Sequence, residues 1–176
     1  APNGKVFKKV NDFVGGQLND LLSSGNVLSC NGVFVRKDII LKNLFNEDRA
    51  LSASEDYELW MRLAARYPLY FSNIITSVVV DHDARSVREV NTKKLIERVS
   101  LLLHYLKQDE QVKKIYGKNF HKIDMELNSY IALHLANKAK GKLKSIHYTL
   151  KAFRNSKALL KRRRFYAIIK NILIKW

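Results

Sequence analysis

The 176-residue chain holds one cysteine, two prolines and seven glycines. A single thiol excludes a disulfide framework and a cysteine-built zinc site; it either points to a reducing compartment or is neutral, and a cytoplasmic location is expected. With so few breakers, long regular segments are allowed. No run of about 20 uninterrupted apolar residues occurs, so no membrane-crossing helix is expected. Residues 1–6 lack a charged-then-apolar pattern, and no secretory address is read there. Low-complexity tracts and repeats of fixed period are also missing. Acid is scarce: 16 Asp+Glu stand against 32 Lys+Arg, a formal charge of +16. What is present in ordinary amount is apolar material, at 47% of residues, which excludes wholesale disorder.

The shortage of acid is local. Residues 1–90 contain 11 Lys+Arg and 11 Asp+Glu, whereas residues 91–176 contain 21 against 5, which is the entire excess. Both prolines and five of the seven glycines also fall in the first part. The chain therefore divides into a neutral region 1–90 and a basic, helical region 91–176, joined near residues 86–92.

The first region reads as mixed α/β. Residues 5–10, 33–37, 69–71 and 74–80 carry β-branched or aromatic runs between turn formers and are expected as strands. Residues 17–23 form a short helix candidate. The clearest helix spans 56–67, where Tyr57, Trp60, Met61, Ala64 and Tyr67 recur at i, i+3, i+4, i+7 and Pro68 stops the pattern. The second region yields four helices: 92–108, 120–138, 143–154, and a last one capped by Ser156 and running towards Trp176.

Chemistry concentrates at residues 52–66. Glu55 and Asp56 open the helix directly after Ser52-Ala53-Ser54. One reading is purely structural: Ser52 and Glu55 match a capping box, or Ser54 caps while the acids face the helix dipole. The other is catalytic, because adjacent carboxylates anchored at a helix start beside a cleft suit general-base work.

The run Ser54-Glu55-Asp56-Tyr57-Glu58-Leu59-Trp60-Met61-Arg62-Leu63 resembles the acidic motif of glycosyltransferase family 2, inverting enzymes of the GT-A fold. Three flanking segments add to the resemblance. Residues 26–37 are similar to the family's acceptor-side segment, and Leu44-Phe45-Asn46-Glu47-Asp48 to its aromatic-acidic stretch. Val78-Val79-Val80-Asp81-His82 resembles a strand end that often carries a histidine. The likeness covers residues 5–87. It implies an α/β, helix-rich fold: the C-terminal part of a GT-A-like domain, followed by a basic all-α extension. It further implies Asp56 as the base that deprotonates an acceptor hydroxyl, Glu55 as an orienting partner, and His82 near the diphosphate or a metal. A packing role for His82 stays equally open. Trp60 and Arg62 read as structural. Glutamine–arginine–tryptophan, the mark of processive members, does not occur.

No Asp-x-Asp precedes the acidic motif, and Asp81-His82-Asp83 falls after it. Gly15-Gly16 is too little for a phosphate-cradling loop. The expectation is a C-terminal portion of a longer enzyme that uses a nucleotide-sugar donor, a saccharide or lipid-linked acceptor, and manganese or magnesium. The chain alone is expected to bind no metal and to be inactive.

Lys161-Arg162-Arg163-Arg164 precedes a mostly apolar stretch ending at Trp176. At twelve residues, 165–176 is too short to cross a bilayer. It suits an interfacial helix on the inner face of the cell membrane, with the four cations at anionic headgroups and Trp176 at the boundary. The alternative is that its apolar residues pack on the earlier helices. A nucleic-acid-binding helical protein competes, since +16 is a large phosphate footprint. A non-catalytic interaction domain is the third reading.

Overall fold

The computed structural model describes residues 17–72 and 91–174. Eight α-helices are present among them: α1 (Gln17–Leu21), α2 (Lys37–Ile40), α3 (Glu55–Ala64), α4 (Thr92–Gln108), α5 (Glu110–Tyr116), α6 (Phe120–Ala136), α7 (Lys142–Asn155) and α8 (Arg163–Ile174). Short 3-10 turns link several of them, including Leu22–Ser24, Arg49–Leu51 and Lys157–Lys161.

The expected α/β architecture is overturned: the described residues are helical and form no strand. Residues 33–36 are extended but lead into α2 at Lys37 without pairing in a ladder. Residues 68–72 are irregular, and the Leu69 N–H donates to Asn19 Oδ1 at 2.9 Å instead of to a neighbouring strand. The physical reason is that β-propensity measures fit to a pleated surface, so a short branched run without a partner strand stays unpaired. The strand expectations at 5–10 and 74–80 lie outside the described residues.

Where the 3.6-residue period is long, expectation and structure agree. Asn91 caps α4 by accepting from the N–H groups of Lys93 and Lys94, and Leu95, Val99, Leu102 and Leu106 form its buried stripe. Asp109 ends α4 and starts α5 by accepting from the N–H groups of Gln111 and Val112, a cap the periodicity did not reveal. Burial alone would raise the Asp109 carboxyl, but the Arg66 guanidinium 2.7 Å away and these N–H groups outweigh it and lower its pKa. The last helix is not continuous from Ser156. Ser156 caps the 3-10 turn Lys157–Lys161, and α8 restarts at Arg163.

The main core joins the two regions of the chain. Leu22, Leu51, Leu59, Trp60, Met61 and Leu63 pack with Leu102, Leu106, Val112, Tyr116 and Ile123. Burying each large side chain contributes about 1.5–3 kcal/mol. Asn19 pins the far end of α3 to this core. Its Nδ2 donates to the carbonyls of Ala64 at 2.9 Å and Tyr67 at 2.8 Å, satisfying groups that a helix end leaves open. Tyr116 OH in turn donates to the Asn19 carbonyl, and burial, then Asp20, pushes the phenol up to about 12.

Helix α6 is the hub of the basic half, with Ile123, Met125, Ile131 and Leu135 all buried. Helices α7 and α8 both lie on it. The turn into α7 is tight, since a Cβ on Gly141 would collide with the Leu135 carbonyl oxygen. Arg164 lies at Glu126 and Ser129, and Asn171 at Asn137, so α8 runs parallel to α6.

Candidate functional site

The acidic helix begins at a bent, tethered turn. Ala53 has φ of 71°, in the left-handed region that L-residues adopt at a cost of about 1–2 kcal/mol. Arg98 of α4 holds this turn from outside by donating to the Ser52 carbonyl at 2.9 Å. The capping expected from serine is not made, because Ser54 stands at the N-cap without a side-chain hydrogen bond. The acids perform it. Glu55 Oε2 accepts from the Ser54 N–H at 2.9 Å, and Asp56 Oδ1 from the Tyr57 N–H at 2.6 Å. Both carboxylates therefore sit at the positive end of the helix dipole, half-buried and held in fixed directions.

The second oxygen of Asp56 faces outward. Among the described residues its hydrogen-bond partner is Asn26, whose Nδ2 donates to Asp56 Oδ2 across a long 3.3 Å contact. Asn26 is exposed, and its own Oδ1 accepts from the Leu28 N–H at 3.2 Å, which orients the amide. In the sequence Asn26 stands at the head of the acceptor-side segment. Only tertiary structure pairs it with an acid thirty residues later.

The stretch 44–48 packs along α3. Arg62 forks onto Glu58, with Nε–Oε1 at 2.8 Å and Nη2–Oε2 at 3.0 Å, and also donates to the Leu44 carbonyl. Glu58 is buried, so this bidentate pair neutralises a charge that would otherwise be costly to desolvate. Phe45 meets Trp60 edge-on at 6.3 Å. Trp60 is 4% exposed and is core, as its helical spacing indicated. Asp48 caps the 3-10 turn through Ala50 and accepts from Tyr105 OH at 2.9 Å, a bond that raises the Tyr105 pKa. Beneath the acids, Tyr57 OH donates to the Leu22 carbonyl, and burial holds the phenol far above its usual range.

Of the four segments in the resemblance, 26–37 and 44–48 thus contact a third, 54–63, which forms α3 itself. His82, with Asp81 and Asp83, lies outside the described residues, as does Trp176. Among the described residues no group of three or more His, Cys, Asp or Glu side chains stands together to hold a metal ion.

The basic cluster is divided. Arg164 Nη1 reaches Glu126 Oε2 at 2.8 Å and also donates to the Glu126 carbonyl and to Ser129 Oγ. Arg162 Nε stands 2.9 Å from Glu126 Oε1, an ion-pair contact off the axis of a hydrogen bond. Glu126 is 6% exposed, so two of the four cations read as a membrane patch neutralise a buried acid. Lys161 and Arg163 remain exposed. No described helix is long and apolar enough to cross a membrane. Set against models of protein families, curated proteins and solved structures, the chain gives no significant match to any of the three.

Proposed function

We propose that this chain supplies the acceptor-side catalytic base of an inverting glycosyltransferase, with Asp56 as the base. The observation that carries the reading is the state of the Asp56 carboxylate. One oxygen is anchored on a helix N–H, and the other turns outward to a weak, exposed amide contact at 3.3 Å. An acceptor hydroxyl approaching Oδ2 would make the shorter, stronger O–H···O⁻ bond and displace or share with Asn26. As the acceptor oxygen attacks the anomeric carbon, its proton passes to Oδ2 and the nucleoside diphosphate leaves on the opposite face. Glu55, tied to the Ser54 N–H, orients the turn. The left-handed Ala53, three residues before Asp56, fits a site where backbone strain is held by its surroundings.

The donor side of this reading needs a nucleotide cradle and a manganese or magnesium ion that these residues do not supply. Phe34, Leu41 and Leu44 stand exposed, apolar side chains suited to contact with a donor-binding portion of a longer polypeptide. The acceptor is a saccharide or a lipid-linked sugar.

The test is sugar transfer from a panel of UDP-sugars, with manganese or magnesium, by the full-length gene product. Asp56→Asn should lower kcat by about 10²–10⁴-fold, the usual contribution of a general base. Asp38→Asn, an exposed acid paired with Arg36, should leave the rate unchanged. A wild-type rate in D56N overturns the assignment of the base, and no transfer to any acceptor by the wild type overturns the reading itself. Calorimetry on the 176-residue chain alone should show no micromolar binding of UDP-sugars.

A further inference from the structure

Helix α7 is packed inside out. Its buried residues are Ser145, Thr149 and Ala152, while Leu143, Ile146, Leu150 and Phe153 are 84%, 42%, 53% and 36% exposed. The inward choice has a structural cause. On α6 the facing residues Ala132 and Ala136 are also small, so the two backbones approach closely. Ser145 Oγ donates to the Ala132 carbonyl at 2.8 Å and Thr149 Oγ1 to the Ser145 carbonyl, both buried. The large apolar residues then have nowhere to go but outward. They form one stripe, at i, i+3, i+7 and i+10.

Each member of that stripe is followed at once by a cationic or titratable residue: Lys144, His147, Lys151 and Arg154. A helix turns about 100° per residue, so these four form a second stripe along one edge of the first. All four are exposed. Helix α8, beside α7 on the same hub, adds exposed Tyr166, Ile169 and Leu173. The charge around them has one sign. Residues 127–176 contain 13 Lys+Arg and no Asp or Glu.

We infer that the α7 stripe, with its cationic edge, is a docking surface for an anionic lipid bilayer. The apolar row enters the acyl boundary and Lys144, Lys151 and Arg154 meet the headgroup phosphates. Charge decides among the occupants. A second copy of the chain would bring the same uncompensated positive charge against this face. A nucleic acid matches the charge but gives four branched and aromatic side chains no apolar counterpart. A bilayer complements both rows. The surface differs from the 161–164 cluster suggested by sequence, where Glu126 already holds Arg162 and Arg164.

The experiment is co-sedimentation of the full 176-residue chain with phosphatidylcholine vesicles, with and without phosphatidylglycerol. Binding should require the anionic lipid and fall with salt. Replacing Lys144, Lys151 and Arg154 together by Gln should weaken it about a hundredfold, near fivefold per charge. Leu143→Ser with Leu150→Ser should weaken it about tenfold or more, with the far-ultraviolet circular dichroism unchanged because both residues are exposed. A fluorescent random oligonucleotide and light scattering run beside it. Vesicle binding that ignores phosphatidylglycerol, or survives the leucine pair, overturns the inference. So does a dimer that the leucine pair dissociates, or oligonucleotide binding in the absence of vesicle binding.

Discussion

Helices α3 and α7 carry the same kind of apolar stripe and face it in opposite directions. In α3 the large residues Leu59, Trp60, Met61 and Leu63 point into the main core and the half-buried acids sit at its start. In α7 small residues point inward and Leu143 and Leu150 point to solvent. The difference lies in the neighbours. Helix α3 meets Leu22, Leu51, Leu102 and Leu106, a surface with room and apolar matter for large side chains. Helix α7 meets the small-residue ridge of α6, where close backbone approach and buried hydroxyl bonds win. A stripe's period reports a helix; the partner decides which side is the core.

The sharpest break of that comparison is a matched pair of truncations. Leu59→Ala should cost about 2–5 kcal/mol in urea unfolding, as a fully buried leucine. Leu150→Ala should change stability by no more than about 0.5 kcal/mol. Equal losses would show that the α7 stripe is covered in solution. The second test concerns the buried acids, Glu58 in the neutral half and Glu126 in the basic half. Glu126→Gln should cost about 1–3 kcal/mol, since it removes the counter-charge of Arg162 and Arg164 while both arginines keep partial contact with water.

The smallest effect is a pH slope confined to the basic half. Burial, then Arg98, Lys138 and Arg164, lowers the His134 pKa below its ordinary 6.5. The unfolded chain therefore takes up a proton that the folded one resists, and stability declines as pH falls below about 6.5. Thermal melts of His134→Gln should lose that slope. Asp109 acts at a different pH: its lowered pKa contributes stability above the ordinary carboxylate value, which is lost only in stronger acid. A slope near pH 6.5 that persists in H134Q would place the titrating group elsewhere.

Much of the helical layout was legible. The α4 boundaries 92–108 match, and α6 and α7 differ by one or two residues at their ends, because long periodic stripes and an Asn cap leave few alternatives. The short elements misled. Residues 33–37 have strand-like composition, yet a strand needs a partner that no local pattern supplies. Helix α5 was missed although Asp109 signals its start, because seven residues are too few for a clear period. At the candidate site, Glu55 and Asp56 were legible as acids at a helix start. That they cap their own helix in place of Ser54, and that Asn26 faces Asp56, was not.

By itself the sequence determined the acidic motif, the helical periods and the placement of all excess charge after residue 90, since each is a property of neighbours along the chain. Only the tertiary structure decided that Glu126 takes up two arginines of the basic cluster, and that α7 turns its leucines outward. Those outcomes depend on which surfaces meet in space, and the energy of burying a side chain belongs to the contact, not to the residue.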